Sequence, residues 1–99
     1  MNTKIQSIHF DADKKLLAFI ENRINKLELF SDEILGAEVY LRLEKDSERE
    51  NKVVEIKLEI PGNDMFAKKN SKSFEEATDL TVEALKKQLG KTRKKKKVT

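Results

Sequence analysis

Two stretches of this chain alternate strictly between apolar and polar residues, and no other feature limits its fold so tightly. Ala37, Val39, Leu41 and Leu43 interleave with Glu38, Tyr40, Arg42 and Glu44, and Val54, Ile56, Leu58 and Ile60 interleave with Glu55, Lys57 and Glu59. A period of two puts each apolar set on one face of a strand, which implies a sheet with one covered face and one wet face. The link Asp46-Ser47-Glu48-Arg49-Glu50-Asn51 is wholly polar, as a solvated hairpin loop requires.

The cover for that sheet is legible on either side of the strand pair. Leu16, Leu17, Ile20, Ile24 and Leu27 recur at helical spacing after Asp11-Ala12-Asp13, where either aspartate can cap a helix. Ser31-Asp32-Glu33 breaks this pattern, and Gly36 frees the chain to turn into the first alternating strand. Ser73-Phe74-Glu75-Glu76 is a capping box that starts a second helix, with Phe74, Ala77, Thr81, Ala84, Leu85 and Gln88 on its inward side. Lys4 to Phe10 reads as a first strand and Met65 to Lys69 as a short fourth one. Pro61-Gly62 supplies a turn, since proline presets one φ and glycine permits the positive φ that follows. The expected fold is α+β, in the order β-α-β-β-β-α, with a four-stranded, mainly antiparallel sheet and both helices packed on one face.

At 99 residues the chain holds one domain, and 37% hydrophobic against 39% charged residues leaves a lean core under an ionised surface. Residues 1–91 are expected to form that domain and residues 92–99 a basic, disordered tail. There is no cysteine and a single histidine, so disulfides, thiolate metal sites and a histidine cluster are excluded, and no metal or other cofactor is expected. His9 reads as a strand residue. No apolar run has the length of a membrane span, and Met1-Asn2-Thr3-Lys4-Ile5 lacks a secretory signal, which points to the cytoplasm. A Gly-rich phosphate loop, a nucleophile motif and a metal-spaced histidine pair are all missing, so an enzyme is not expected.

Charge divides unevenly along the chain. Residues 1–70 hold 12 Lys/Arg against 14 Asp/Glu, whereas residues 71–99 hold 9 against 4, and from Lys86 onward there are eight bases and no acid. Such asymmetry steers polyanions toward one end of a molecule. On the first helix Lys15, Asn22 and Lys26 share a flank with Arg23 and Phe19, while Glu21 and Glu28 lie on the other. On the second, Lys87, Lys91 and Lys94 make a continuous stripe. Side by side these stripes would match a phosphate backbone without reading sequence. Structured RNA suits them better than DNA, because no helix carries the residues of a major-groove reader and the sheet lacks paired stacking aromatics.

In combination, certain residues resemble the ribosome hibernation promoting factor and ribosome-associated inhibitor A (sigma-54 modulation protein) family. They are Leu16-x-x-Phe19-Ile20, Lys26-Leu27-Glu28, Ile34, the strand Ala37-x-Val39-x-Leu41-x-Leu43-Glu44-Lys45, Ala77-x-Asp79, and Leu85-x-x-Gln88-Leu89-x-Lys91. The likeness spans essentially the whole chain. It implies a fold similar to double-stranded RNA-binding domains, and a protein that binds the small ribosomal subunit in the messenger and transfer RNA channel near the decoding centre. Such proteins silence ribosomes in stress or stationary phase. This chain would be a short form, monomeric off the ribosome, with no membrane or small-molecule partner. Charge and resemblance together nominate Lys15, Arg23, Lys26, Lys86, Lys87, Lys91, Arg93, Lys94 and Lys95 as rRNA-binding residues. Asp79 corresponds to the acidic residue of a family segment that here reads Phe74-Glu75-Glu76-Ala77-Thr78-Asp79, without the usual tyrosine; it is expected to favour the helix N-terminal dipole. A general binder of structured RNA and a protein-interaction regulator are the alternative readings.

Overall fold

The computed structural model describes residues 2–8, 10–44 and 51–98, with side chains as far as Gly90. The chain runs β1 (Asn2–Ser7), α1 (Lys14–Asn25), a 3₁₀ turn (Lys26–Leu29), β2 (Gly36–Leu43), β3 (Lys52–Glu59), β4 (Met65–Ser71) and α2 (Phe74–Val98). The four strands form one sheet in the order β1-β2-β3-β4. β2, β3 and β4 pair antiparallel, while β1 pairs parallel with β2 in the register Asn2↔Gly36 to Ser7↔Leu41. A parallel neighbour cannot be reached by a tight turn, so α1 serves as the crossover between them.

The alternation in β2 and β3 does what its period requires. Val39 lies opposite Ile56, Leu41 opposite Val54 and Ala37 opposite Leu58, all buried on the face that carries both helices. Leu16, Ile20, Ile24 and Leu27 of the first helical stretch, with Phe74, Ala77, Val82, Leu85 and Leu89 of α2, complete that core. Thr78 and Thr81 are also buried, and each hydroxyl donates to the carbonyl four residues back, at 2.7 Å in both cases. That bond removes most of the cost of burying them. The other sheet face is wet and cross-paired: Arg42 bridges Glu55, Lys57 lies 3.6 Å from Asp64, and the Tyr40 hydroxyl donates to Glu38 at 2.8 Å. Val53, only 1% exposed, is the apolar exception there, between Arg42 and Asn70 in register.

Several details differ from the sequence reading for physical reasons. β1 begins two residues earlier and ends at Ser7, because Phe10 leaves the strand line to stack on Phe74 with ring centroids 5.0 Å apart. Leu43 is 46% exposed at the end of β2, and Ile60 and Leu17 are half-buried. Thr78, Val82 and Leu89 join the inward side of α2, whereas Gln88 leaves it: its side-chain amide donates to the Phe66 carbonyl on edge strand β4 at 3.1 Å. Gly36 is not a pivot. It lies within β2, where a Cβ would meet the Asn2 carbonyl oxygen at 3.0 Å, so its missing side chain permits the close approach of β1. α2 runs from Phe74 to Val98. His9, Lys45 and residues 46–50 of the polar link lie outside the described residues, although Glu44 N–H donates to the Asn51 carbonyl at 2.8 Å and closes the link's base.

Asp13 is the aspartate that caps α1, its Oδ1 accepting from Leu16 N–H at 2.7 Å. Ser73 Oγ accepts from Glu76 N–H at 3.1 Å at the start of α2. Gly62 has φ 89°, as the Pro61-Gly62 turn requires. Gly62→Ala should therefore lower unfolding free energy by about 1 kcal/mol, seen as a reduced urea midpoint at unchanged slope; an unmoved midpoint would mean that the turn relaxes without strain.

The Tyr40 phenol is raised above its ordinary range, chiefly by its hydrogen bond to Glu38, then by desolvation and by the charge of Glu38, with Lys57 opposing. Because the folded chain holds this proton more tightly, stability is unaffected at pH values below the unfolded phenol's range and falls as pH rises through the folded one. Tyr40 is the only tyrosine and there is no tryptophan. Tyrosinate absorbance should thus appear at higher pH in the native chain than in the urea-unfolded chain, and Glu38→Gln should narrow the gap. Coincident curves would contradict the bond.

Candidate nucleic-acid interface

Both helices lie on one sheet face and run in the same direction. Phe10 before α1 meets Phe74 at the start of α2, Arg23 meets Asp79, and Phe30 after the 3₁₀ turn meets Lys86, so progress along one helical stretch matches progress along the other. α2 covers β3 and β4 and touches α1 along its side. The flank of α1 that carries Lys15, Phe19, Arg23 and Lys26 therefore faces the groove between the helices, since Arg23 on that flank reaches Asp79.

Within the groove the cations are not equivalent. The Arg23 guanidinium donates to Asp79 Oδ1 at 2.8 Å and lies over the Phe19 ring at 4.4 Å. Its side chain keeps 34% of its surface exposed, and that of Asp79 keeps 53%. Lys86 lies 5.4 Å from the Phe30 ring centre and 3.8 Å from Glu83. Lys15, Lys26 and Lys87 are exposed and form no ion pair with another described residue. Successive helical residues step by about 100°. Lys87 thus stands on the outer crest of α2, between the line facing α1, marked by Asp79 and Lys86, and the line facing β4, marked by Gln88.

The structure brings Arg23 and Lys86 into the groove, with Lys15 and Lys26 on its α1 rim and Lys87 on the crest beside it. Lys91, Arg93, Lys94 and Lys95 belong to the last part of α2, beyond the described side chains. Asp79 corrects the sequence reading. It is the sixth residue of α2, past the turn in which the helix dipole acts, and its partner is Arg23. Sequence reasoning also missed the parts played by Glu83 and Phe30. The spacing of Phe19 and Arg23, four residues apart on one helix, was a usable signal for their stacking. Nothing local could pair Arg23 with Asp79, 56 positions away. Lys68, Lys69 and Lys72 are exposed as well, on and just after β4, across α2 from α1.

Among the described residues no three His, Cys, Asp or Glu side chains gather to hold a metal ion, and no helix is long and apolar enough to cross a membrane. The architecture defines a class: a one-sheet α+β module whose helical layer carries a charged groove. Residues 3–97 match the family described as sigma 54 modulation protein / S30EA ribosomal protein, and the chain belongs to it. This is a family of ribosome-associated modulation and hibernation proteins, not of enzymes, and its members bind the ribosome.

Solved structures agree in fold. A ribosomal subunit interface protein from Coxiella burnetii superposes with TM-score 0.83 at 20% identity, over 94% of this chain and 98% of that one. The N-terminal domain of Protein Y from Thermus thermophilus gives TM-score 0.77 at 21% identity, over 93% and 99%. A search of curated proteins finds no match.

Exposed ion pairs contribute less than about 1 kcal/mol to stability, so Asp79→Asn should leave the thermal unfolding midpoint within a few degrees of the parent. A collapse of the midpoint would make the Arg23 contact a structural strut rather than a surface feature.

Proposed function

We propose that this chain is a hibernation factor that occupies the messenger and transfer RNA channel of the small ribosomal subunit near the decoding centre, and so silences ribosomes in stressed or stationary cells. The observation that carries this reading is the groove of a member of this family: two parallel helices turn cations from separate parts of the sequence toward one surface. Lys15, Arg23, Lys26, Lys86 and Lys87 would contact rRNA phosphates there, and Lys91, Arg93, Lys94 and Lys95 would extend the contact along the final turns of α2. Residues 92–99 would act as a basic arm reaching further along the messenger path. The mechanism is occlusion. A body of this size seated on rRNA excludes messenger and transfer RNA without any covalent step, and bacterial cytoplasm is where the partner resides.

Phosphate contacts release counterions, so a site of about six phosphates should lose affinity by orders of magnitude between low and moderate salt. Cosedimentation should recover the chain with small subunits and not with an equal mass of unrelated duplex RNA. Lys26→Glu combined with Lys87→Glu should weaken subunit binding at least about tenfold while leaving the unfolding midpoint nearly unchanged, because both side chains are exposed. Retained binding by the folded double variant, or binding indifferent to salt, would refute the electrostatic mechanism. Binding that fails to compete with messenger and initiator transfer RNA would refute the channel.

A further inference from the structure

One arrangement occurs twice along the helical groove. Arg23 is held between the Phe19 ring at 4.4 Å and the Asp79 carboxylate at 2.8 Å. Lys86 is held between the Phe30 ring at 5.4 Å and the Glu83 carboxylate at 3.8 Å. In each case the ring comes from the α1 side and the carboxylate from α2.

A surface that had only to attract phosphate would gain from cations of a single sign, and these acids work against it. Stability does not account for them either, since their side chains are 53% and 61% exposed and exposed pairs contribute little. They have two physical effects. At distances beyond a few ångströms they cancel Arg23 and Lys86, so that among the groove's own cations a polyanion arriving from solution meets chiefly Lys15, Lys26 and Lys87. At contact distance they hold the two cations in fixed positions, so a partner whose groups match those positions forfeits less side-chain freedom on docking than one whose groups do not.

We propose that Asp79 and Glu83 are specificity-determining residues, which lower the affinity of the groove for generic RNA while positioning Arg23 and Lys86 for one folded RNA surface. The proposal rests on the ribosome-binding reading above. Asp79 and Glu83 act through the cations they hold and are positioning residues in that sense.

The test uses the full chain and its variants Asp79→Asn, Glu83→Gln and the pair combined, with Glu21→Gln, on the opposite flank of α1, as control. Each is titrated at one salt concentration against small ribosomal subunits and against an unrelated RNA duplex. A carboxylate about 4 Å from a phosphate repels it about fivefold in water. The double variant should therefore bind the duplex at least about tenfold more tightly, while its affinity for subunits stays level or falls, so that selectivity drops by that factor or more. The single variants should each show part of the change, and Glu21→Gln should leave selectivity within about twofold.

Equal gains on both targets would overturn the proposal, because the acids would then subtract charge without favouring any surface. No gain on the duplex would overturn it too. A parent chain that does not prefer subunits to duplex removes the ribosome-binding reading, and this proposal with it. A parent that prefers subunits and a double variant that keeps the preference remove this proposal alone.

Discussion

The parallel pairing of β1 with β2 is the constraint on which the surface of this molecule depends. An antiparallel first hairpin would have needed only a short turn, whereas a parallel neighbour obliges the chain to travel the length of the sheet and return. The alternation in β2 and β3 leaves one apolar face, so α1 makes that journey over the face that α2 also covers. Two helices laid the same way on one small sheet must lie side by side. The groove between them, with Arg23 and Asp79 across it, follows from strand order and burial before any charge is considered.

Much of this was legible because it is local. The period of two in residues 37–44 and 54–60, the stripe Leu16-Ile20-Ile24-Leu27, the Ser73 cap and the Pro61-Gly62 turn each depend on residues within a few positions of one another. What escaped depends on distance in sequence. Spacing alone runs the inward line of α2 through Gln88 instead of Val82 and Leu89, because a helix wheel has no zero until the sheet and the neighbouring helix supply one. In sequence Gly36 looks like a pivot, because the reason for the glycine, the carbonyl of Asn2, lies 34 positions away. Asp79 and Arg23 find each other only through the topology.

Charge counting points to both helices and misses the ion pairs in the groove between them. A tally along the chain treats each lysine or arginine as free, but a side chain's field in solution depends on what stands beside it. Arg23 and Lys86 are partly silenced at range and held at contact, while Lys26 and Lys87 keep their full reach. The groove thus combines cations that attract from afar with cations that discriminate on arrival, a division of labour that net charge cannot express.

The seating of α2 carries a consequence for everything that follows it. The buried Ala77, Val82, Leu85 and Leu89 key α2 against rolling, and Gln88 on the Phe66 carbonyl at one side and Asp79 on Arg23 at the other, nine residues earlier, mark that setting at the surface. A rod so keyed has a definite azimuth, and the backbone that continues to Val98 inherits it. The bearing of the chain's most basic segment is thereby set by residues that contribute no positive charge.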